Sequence, residues 1–414
     1  MTEPAHTLVR RAALIFIFVT VLIDILAFGL IIPVLPHLVQ EFVGGDIRSA
    51  SHWVGIFGTV FAAIQFFSAP IQGALSDRYG RRPVILLSCL GLGLDFIFMA
   101  LAPTLMWLFV GRIISAITSA SFTTANAYIA DVTPAEKRAG AFGMIGMAFG
   151  LGFIVGPMLG GWLGHYDLRW PFWGAAILAL VNFCYGLFVL PESLPPERRS
   201  TRFEWKQANP VGSVKLIARY PQLIMLAAIL LLSNLAHYVY PNVFVLYADY
   251  RYQWGPQEVG WVLALVGVCS ALVQGLLVRK VAPKYGEHNT LVFGLLAGTL
   301  GFLGYGLAAK GWMFLSVIPM MALWGLAGPA AQSLVTREVG PEVQGRIQGA
   351  MASLISLAGI IAPTLYTSAF AMFIGPTAPA ELPGMPWYIA SALLGIALWL
   401  AIRHRATHRQ PALA

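Results

Sequence analysis

The sequence predicts an all-α integral membrane protein of twelve transmembrane helices, arranged as two parallel repeats of six. Three observations predict it: charge is scarce, apolar residues come in blocks long enough to span a membrane, and landmarks recur half a chain apart. The 414 residues are 58% hydrophobic and only 11% charged, whereas a soluble domain carries about 25% charged residues. So few charges cannot clothe a water-facing surface, and lipid must be the solvent for much of the chain.

The blocks decide between helix and barrel. Each is close to the ~20 residues a helix needs to cross a bilayer core, whereas barrel strands would be about 10 residues long and alternating. Only helices and closed barrels satisfy their backbone groups in lipid. The predicted spans are 12–35, 52–75, 83–102, 105–128, 140–164, 170–190, 220–247, 256–278, 289–308, 311–335, 347–373 and 385–402. The first is too long for a cleaved signal peptide, and no small-residue cleavage site closes it. Cys89, Cys184 and Cys269 all fall inside spans. They read as small apolar packing residues, with no disulfide framework or metal spacing.

The basic residues orient the chain. With the N-terminus in the cytoplasm, the cytoplasmic segments hold Arg10, Arg11, Arg78, Arg81, Arg82, Lys137, Arg138, Arg198, Arg199, Arg202, Lys206, Lys215, Arg219, Arg279, Lys280, Lys284, Arg337, Arg346, Arg403, Arg405 and Arg409. The opposite side has only Arg48, Arg169, Arg251 and Lys310, and Arg112 lies inside the fourth span. This positive-inside bias puts both termini in the cytoplasm. It accounts for the net charge of +8 through anionic lipid, with no nucleic acid as partner.

The repeat is read from landmarks. The longest polar segment, 191–219, divides a six-helix bundle at 1–190 from a second at 220–414. The turn Asp77-Arg78-Tyr79-Gly80 has its counterpart in Pro283-Lys284-Tyr285-Gly286, Pro134 in Pro341, and Pro157 in Pro363, each 206 or 207 residues on. Parallel six-helix repeats of this kind are one transporter architecture.

Ionisable residues inside the membrane are functional by default, because a charge at mid-membrane costs at least ~2.5–3.5 kcal/mol. Away from the span ends, where Glu258 lies, the predicted spans contain two carboxylates, Asp24 and Asp95, and one arginine, Arg112. A desolvated carboxyl can carry a proton. Asp24 is the first candidate and Asp95 the second, with Arg112 tuning either one. A purely structural Asp–Arg pair is the alternative. Gln65, Asn126, Asn234, His237, Tyr238, Tyr240, Asn242, Gln274 and Gln332 are polar residues in spans. They would either line a mostly apolar pocket for an amphipathic compound or satisfy neighbouring backbones.

The loop Gly73-Ala74-Leu75-Ser76-Asp77-Arg78-Tyr79-Gly80-Arg81-Arg82-Pro83 resembles the hallmark loop of the major facilitator superfamily. Gly73 would let helices approach closely, Gly80 a tight turn, and Asp77 would latch to an arginine or a helix N-terminus. Asp131 would partner one of Arg78, Arg81 and Arg82. The alternative is that these arginines only set topology. Gly152-Phe153-Ile154-Val155-Gly156-Pro157-Met158-Leu159-Gly160-Gly161 resembles the antiporter motif of drug-exporting members, the alternative being ordinary tight packing.

Almost the whole chain resembles the tetracycline/proton antiporters. Asp24 before Gly29-Leu30-Ile31-Ile32-Pro33, Gln65, Asp95 and Gly111-Arg112 sit where that family places functional polar residues. Two positions depart from it. Where the family's eighth helix carries a histidine four residues before a glutamine, Ser270 precedes Gln274. Where its ninth helix carries an aspartate, Gly298 stands. His237 in the seventh span is either a substitute titrating group or a neutral hydrogen-bond donor. The resemblance implies a major facilitator fold and proton-coupled export of a tetracycline-like drug, Gly298 leaving another drug, a metabolite or a sugar as the alternative. The expected partners are lipid, protons and a small molecule arriving as a magnesium chelate, with no cofactor, no catalytic or metal site and a monomeric chain. Short loops and the absence of a targeting segment point to a bacterial inner membrane.

Overall fold

The computed structural model describes residues 3–118, 121–133, 138–199, 220–338, 341–376 and 378–408. Pro134, Lys137, Arg202, Lys206, Lys215, Arg219 and Arg409, and with them most of the segment 191–219, lie outside the described residues. Among the described residues there is no strand, and eleven helices are long and apolar enough to cross a membrane. The fourth predicted span differs. It consists of a shorter apolar helix, Leu105–Thr118, and a second helix, Ser121–Val132.

The chain divides into two compact units. One comprises Met1–Gly45, Val60–Ala208 and Gly255–Ala264, the other Asp46–Thr59, Asn209–Trp254 and Leu265–Ala414. The first holds α1 (Glu3–Ile31), α2 (Leu35–Phe42), the larger part of α3 (Ile47–Tyr79), α4 (Arg81–Ala100), α5 (Leu105–Thr118), α6 (Ser121–Val132), α7 (Arg138–Tyr166) and α8 (Trp170–Val189). The second holds α9 (Pro221–His237), α10 (Val239–Tyr252), the end of α11 (Pro256–Leu272), α12 (Val278–Tyr285), α13 (Glu287–Leu307), α14 (Gly311–Ala322), α15 (Ala327–Arg337), α16 (Pro341–Met372) and α17 (Met385–His408).

Local chemistry explains where helices start and turn. Asp46 caps α3, its carboxylate accepting the Ser49 N–H at 2.9 Å. Hydrogen bonds from Ser49 hold that carboxyl below the usual carboxylate range. The cap lets α3 begin at Ile47 rather than near 52, and its 33 residues run about 50 Å at 1.5 Å per residue. Gly80 and Gly286 take φ of 105° and 81°, a backbone that glycine adopts without Cβ strain. Each starts a helix after a sharp turn.

Each unit has its own core. In the first, Ile17, Val21 and Ile25 of α1 pack against Ile85 and Cys89 of α4 and Tyr128 and Ile129 of α6. The second is aromatic: Tyr305 stacks on Phe314 with ring centroids 4.0 Å apart, and Trp387 meets both. The buried phenols are satisfied, Tyr247 donating to the Tyr305 carbonyl at 3.1 Å and Tyr240 to the Tyr305 hydroxyl at 3.1 Å. Large apolar side chains such as Leu87, Phe188 and Trp312 are exposed, the arrangement expected where hydrocarbon takes the place of water.

Candidate functional site

Asp24 sits in the last third of α1, where α1, α4 and α8 converge. Asn182 of α8, fully buried, donates its amide to Asp24 Oδ1 at 2.9 Å and to the Thr20 carbonyl at 2.9 Å. The Cys89 sulfur of α4 lies 3.9 Å from the same carboxylate oxygen and 3.6 Å from the Asn182 amide. Cys89 therefore belongs to a polar cluster as well as to the packing expected of it. Asn182 was missing from the sequence candidates, although an amide in the middle of the sixth span was the available signal.

Asp95 lies on α4 and is 2% exposed. Neither of its carboxyl oxygens makes a well-formed hydrogen bond, although Ser115 lies beside it. Gly111 brings α5 against it: a Cβ added there would stand 3.2 Å from Asp95 Oδ1. The next residue, Arg112, attracts Asp95 through space, but it places its guanidinium carbon 4.3 Å over the Phe61 ring. The two charges are thus neighbours without a contact ion pair. A buried carboxylate without donors is costly, and taking up a proton removes that cost.

The 73–83 loop forms an ionic knot centred on one arginine. Arg81 binds Asp77 at 2.5 Å, Asp131 at 3.0 Å and the Ser76 hydroxyl at 2.7 Å. Arg78 instead lies over the Tyr79 ring, 5.3 Å from its centre, and Arg82 donates to the Leu187 carbonyl at 2.6 Å. Glu192 completes the knot by accepting the backbone N–H groups of Arg81 at 2.9 Å and Arg82 at 3.3 Å, the start of α4, where a carboxylate complements the helix dipole. Sequence reading missed Glu192. At Gly73 the expected close approach is not found, since an added Cβ would meet nothing within 4 Å.

The glycines of α7 do touch backbone. An added Cβ at Gly156 would lie 2.8 Å from Gly29 Cα, and at Gly152 or Gly160 it would run into Ile25 or the Leu30 carbonyl of α1. Gly161 faces the other way, against Pro256 and Gly260, and Pro157 lies within the helix.

In the second unit, α9 ends at His237, and the imidazole is exposed with its ring 5.5 Å from that of Trp324. Gln274 lies in a π turn, Val273–Leu277, beside Gly325. Such turns recur at functional sites. Tyr238 follows His237, and Gln332 is half-buried on α15. Asn234 and Asn242 donate to the backbone carbonyls of Leu230 and Tyr238, four residues back on their own chain, so their amides serve the helix. Gln65 and Asn126 are half-buried in the first unit. Glu287, at the start of α13, pairs with Arg337 at 2.8 Å and accepts from Ser333 at 2.5 Å.

Membrane-length helices that enclose two carboxyl groups and an arginine define a multi-pass membrane protein. Residues 17–363 match the model of the Major Facilitator Superfamily, and the chain belongs to that family. It is 36% identical to the tetracycline resistance protein of class C from Escherichia coli, covering 93% of this chain and 95% of that protein. It is 33% identical to the class H protein of Pasteurella multocida over 96% and 97% of the two chains. Among solved structures, a peptide transporter POT bound to sulfate superposes with a TM-score of 0.77 at 16% identity, over 96% of this chain and 94% of that one. The human organic anion transporter MFSD10 (TETRAN) gives 0.68 at 24%, over 95% and 99%. Both structures share the fold.

Proposed function

We propose that the protein exports a tetracycline-like amphipathic drug across the bacterial inner membrane in exchange for protons, by alternating access of twelve helices in two six-helix repeats. The carrying observation is near full-length similarity to tetracycline resistance proteins of several classes. The bundles are 1–190 and 220–414, joined by a cytoplasmic linker at 191–219, with both termini in the cytoplasm. The chain acts as a monomer without a cofactor, and the drug arrives as a magnesium chelate.

Two ion pairs support the repeat. Arg81 pairs with Asp131, and Glu287 with Arg337. Each partner recurs 206 residues on with its charge reversed, at the offset of the landmark turns.

Asp24 and Asp95 carry the protons in this reading. In this reading a conformational step that brings water or the Arg112 guanidinium to Asp95 releases its proton, so proton release is tied to the state of the helices. A membrane potential contributes ~2.3 kcal/mol per charge per 100 mV, enough for one proton to drive accumulation. Gly298, where relatives of the resembled type carry an aspartate, favours a second reading as an exporter of a different drug or a transporter of a metabolite or sugar.

The test is proton release from purified protein on adding magnesium–tetracycline, with wild type beside Asp24→Asn and Asp95→Asn. Release in wild type that is lost in either variant is the expected result. Absence of both release and binding in wild type would move the second reading to the front.

A further inference from the structure

The second unit raises a question of its own: which group there can hold a proton within the membrane? Among its described side chains, the carboxylates of Asp46, Asp249, Glu287, Glu338 and Glu381 stand at or near helix ends. His237 stands at the α9–α10 joint, midway along the membrane-length segment Leu223–Tyr252.

The neighbour that shapes its surroundings is Trp324. This residue sits in a 3₁₀ turn, Leu323–Leu326, between α14 and α15. One edge of its indole presses on Gly298 of α13. A Cβ built at Gly298 would lie 2.8 Å from indole Cδ1, 2.8 Å from Cγ and 2.7 Å from Leu394 Cδ1 of α17, closer than real side chains approach. The indole also meets the Phe302 ring, centroids 5.6 Å apart. Held on those sides, it stands 5.5 Å from the His237 ring, tilted by 45°. That is within the ~6 Å over which a ring quadrupole attracts a cation.

We propose that Trp324 is a positioning residue for proton coupling: seated in the gap left by Gly298, it orients His237 and stabilises the imidazolium, making His237 the proton carrier of the second unit. The proposal rests on the proton-coupled reading above and adds a group to it.

Helix α9 packs against α10, α15, α16 and α17. Near His237 these helices present phenols: Tyr238 at 6.5 Å between ring centroids, Tyr240 engaged with Tyr305, and Tyr366 donating to the Leu235 carbonyl. Their charges are distant along the chain. Asp249 and Arg251 lie 12 and 14 residues on, about 18 to 21 Å of helix. Arg337, held by Glu287, ends α15, and Arg403 and His404 lie in the last turns of α17. Of the two rings beside His237, the indole is the nearer, at 5.5 Å against 6.5 Å for Tyr238.

The test uses the full-length protein labelled with 5-fluorotryptophan, the Trp324 ¹⁹F resonance being assigned by its loss in Trp324→Phe. In wild type this resonance should titrate with pH in one step between about pH 5 and 8, and in His237→Gln it should be flat. Gly298→Ala displaces the indole without touching His237. It should move the pH profile of transport about half a unit toward acid, roughly a threefold loss of proton affinity. Trp324→Ala should do the same, and Trp324→Phe should keep the wild-type profile. A Trp324 resonance that is flat in wild type, or that still titrates in His237→Gln, overturns the proposal. A titrating Trp324–His237 pair in a protein whose transport is independent of protons would support the pair and sink the antiport reading instead.

Discussion

At the residue scale, two intramembrane aspartates differ in how their carboxyl groups are kept. Asp24 accepts from Asn182, whose amide also serves the Thr20 carbonyl. Asp95 is buried without a well-formed hydrogen bond. Sequence alone marked both as lone carboxylates in apolar spans, with Asp24 first and Asp95 second. Their surroundings differ: Asp24 Oδ1 has the Asn182 amide, whereas Asp95 has only Ser115 beside it and Arg112 at a distance. Replacing Asn182 by leucine strips the donor from both Asp24 and Thr20. This should cost about 1–3 kcal/mol of stability and shift the pH dependence of transport. Thermal unfolding in detergent and a transport–pH profile check it, and an unchanged pair of curves would show Asn182 to be a bystander. The charge types were legible in the sequence because ionisable residues stand out in an apolar span. Their partners were not, because Asn182 and Cys89 are 158 and 65 residues from Asp24.

At the element scale, glycine spacing told where helices would meet but not which glycines would matter. Gly156 and Gly160 bring α7 onto the backbone of α1, whereas Gly73 faces open space. Gly160→Val should push α1 and α7 apart, costing more than the roughly 1–3 kcal/mol usual for overpacking, because the obstacle is a backbone carbonyl that cannot rotate away. Gly73→Ala should leave folding unchanged. Yield and melting temperature in detergent separate the two, and equal behaviour would refute the packing account. The ionic knots show the same division. Arg81 is largely buried and bound on three sides, so removing Asp131 leaves its buried charge with Asp77 as its remaining ion-pair partner. Arg337 is 71% exposed, and its pair with Glu287 is worth little in isolation. That Asp77 and Asp131 would meet an arginine of the 73–83 loop was legible in the sequence. That Arg81 rather than Arg78 or Arg82 is its centre was decided by the turn at Gly80, which points Arg81 back toward α3 and α6.

At the scale of the whole molecule, the positive-inside bias makes a firm statement about topology. Green fluorescent protein fused after the last helix should fluoresce, and alkaline phosphatase at the same place should be inactive. The opposite pattern would invert every cytoplasmic assignment. Membrane residence, helical class, family and the division of positive charge were determined by the sequence itself, because hydropathy, block length and loop charge are one-dimensional quantities that the bilayer reads directly. The tertiary structure alone decided which donors reach Asp24, that Arg112 rests on Phe61 rather than on Asp95, and that Trp324 fills the space over Gly298. Those outcomes depend on which helix faces come together, and in a chain whose spans are apolar on every side no periodicity marks the face that will turn inward.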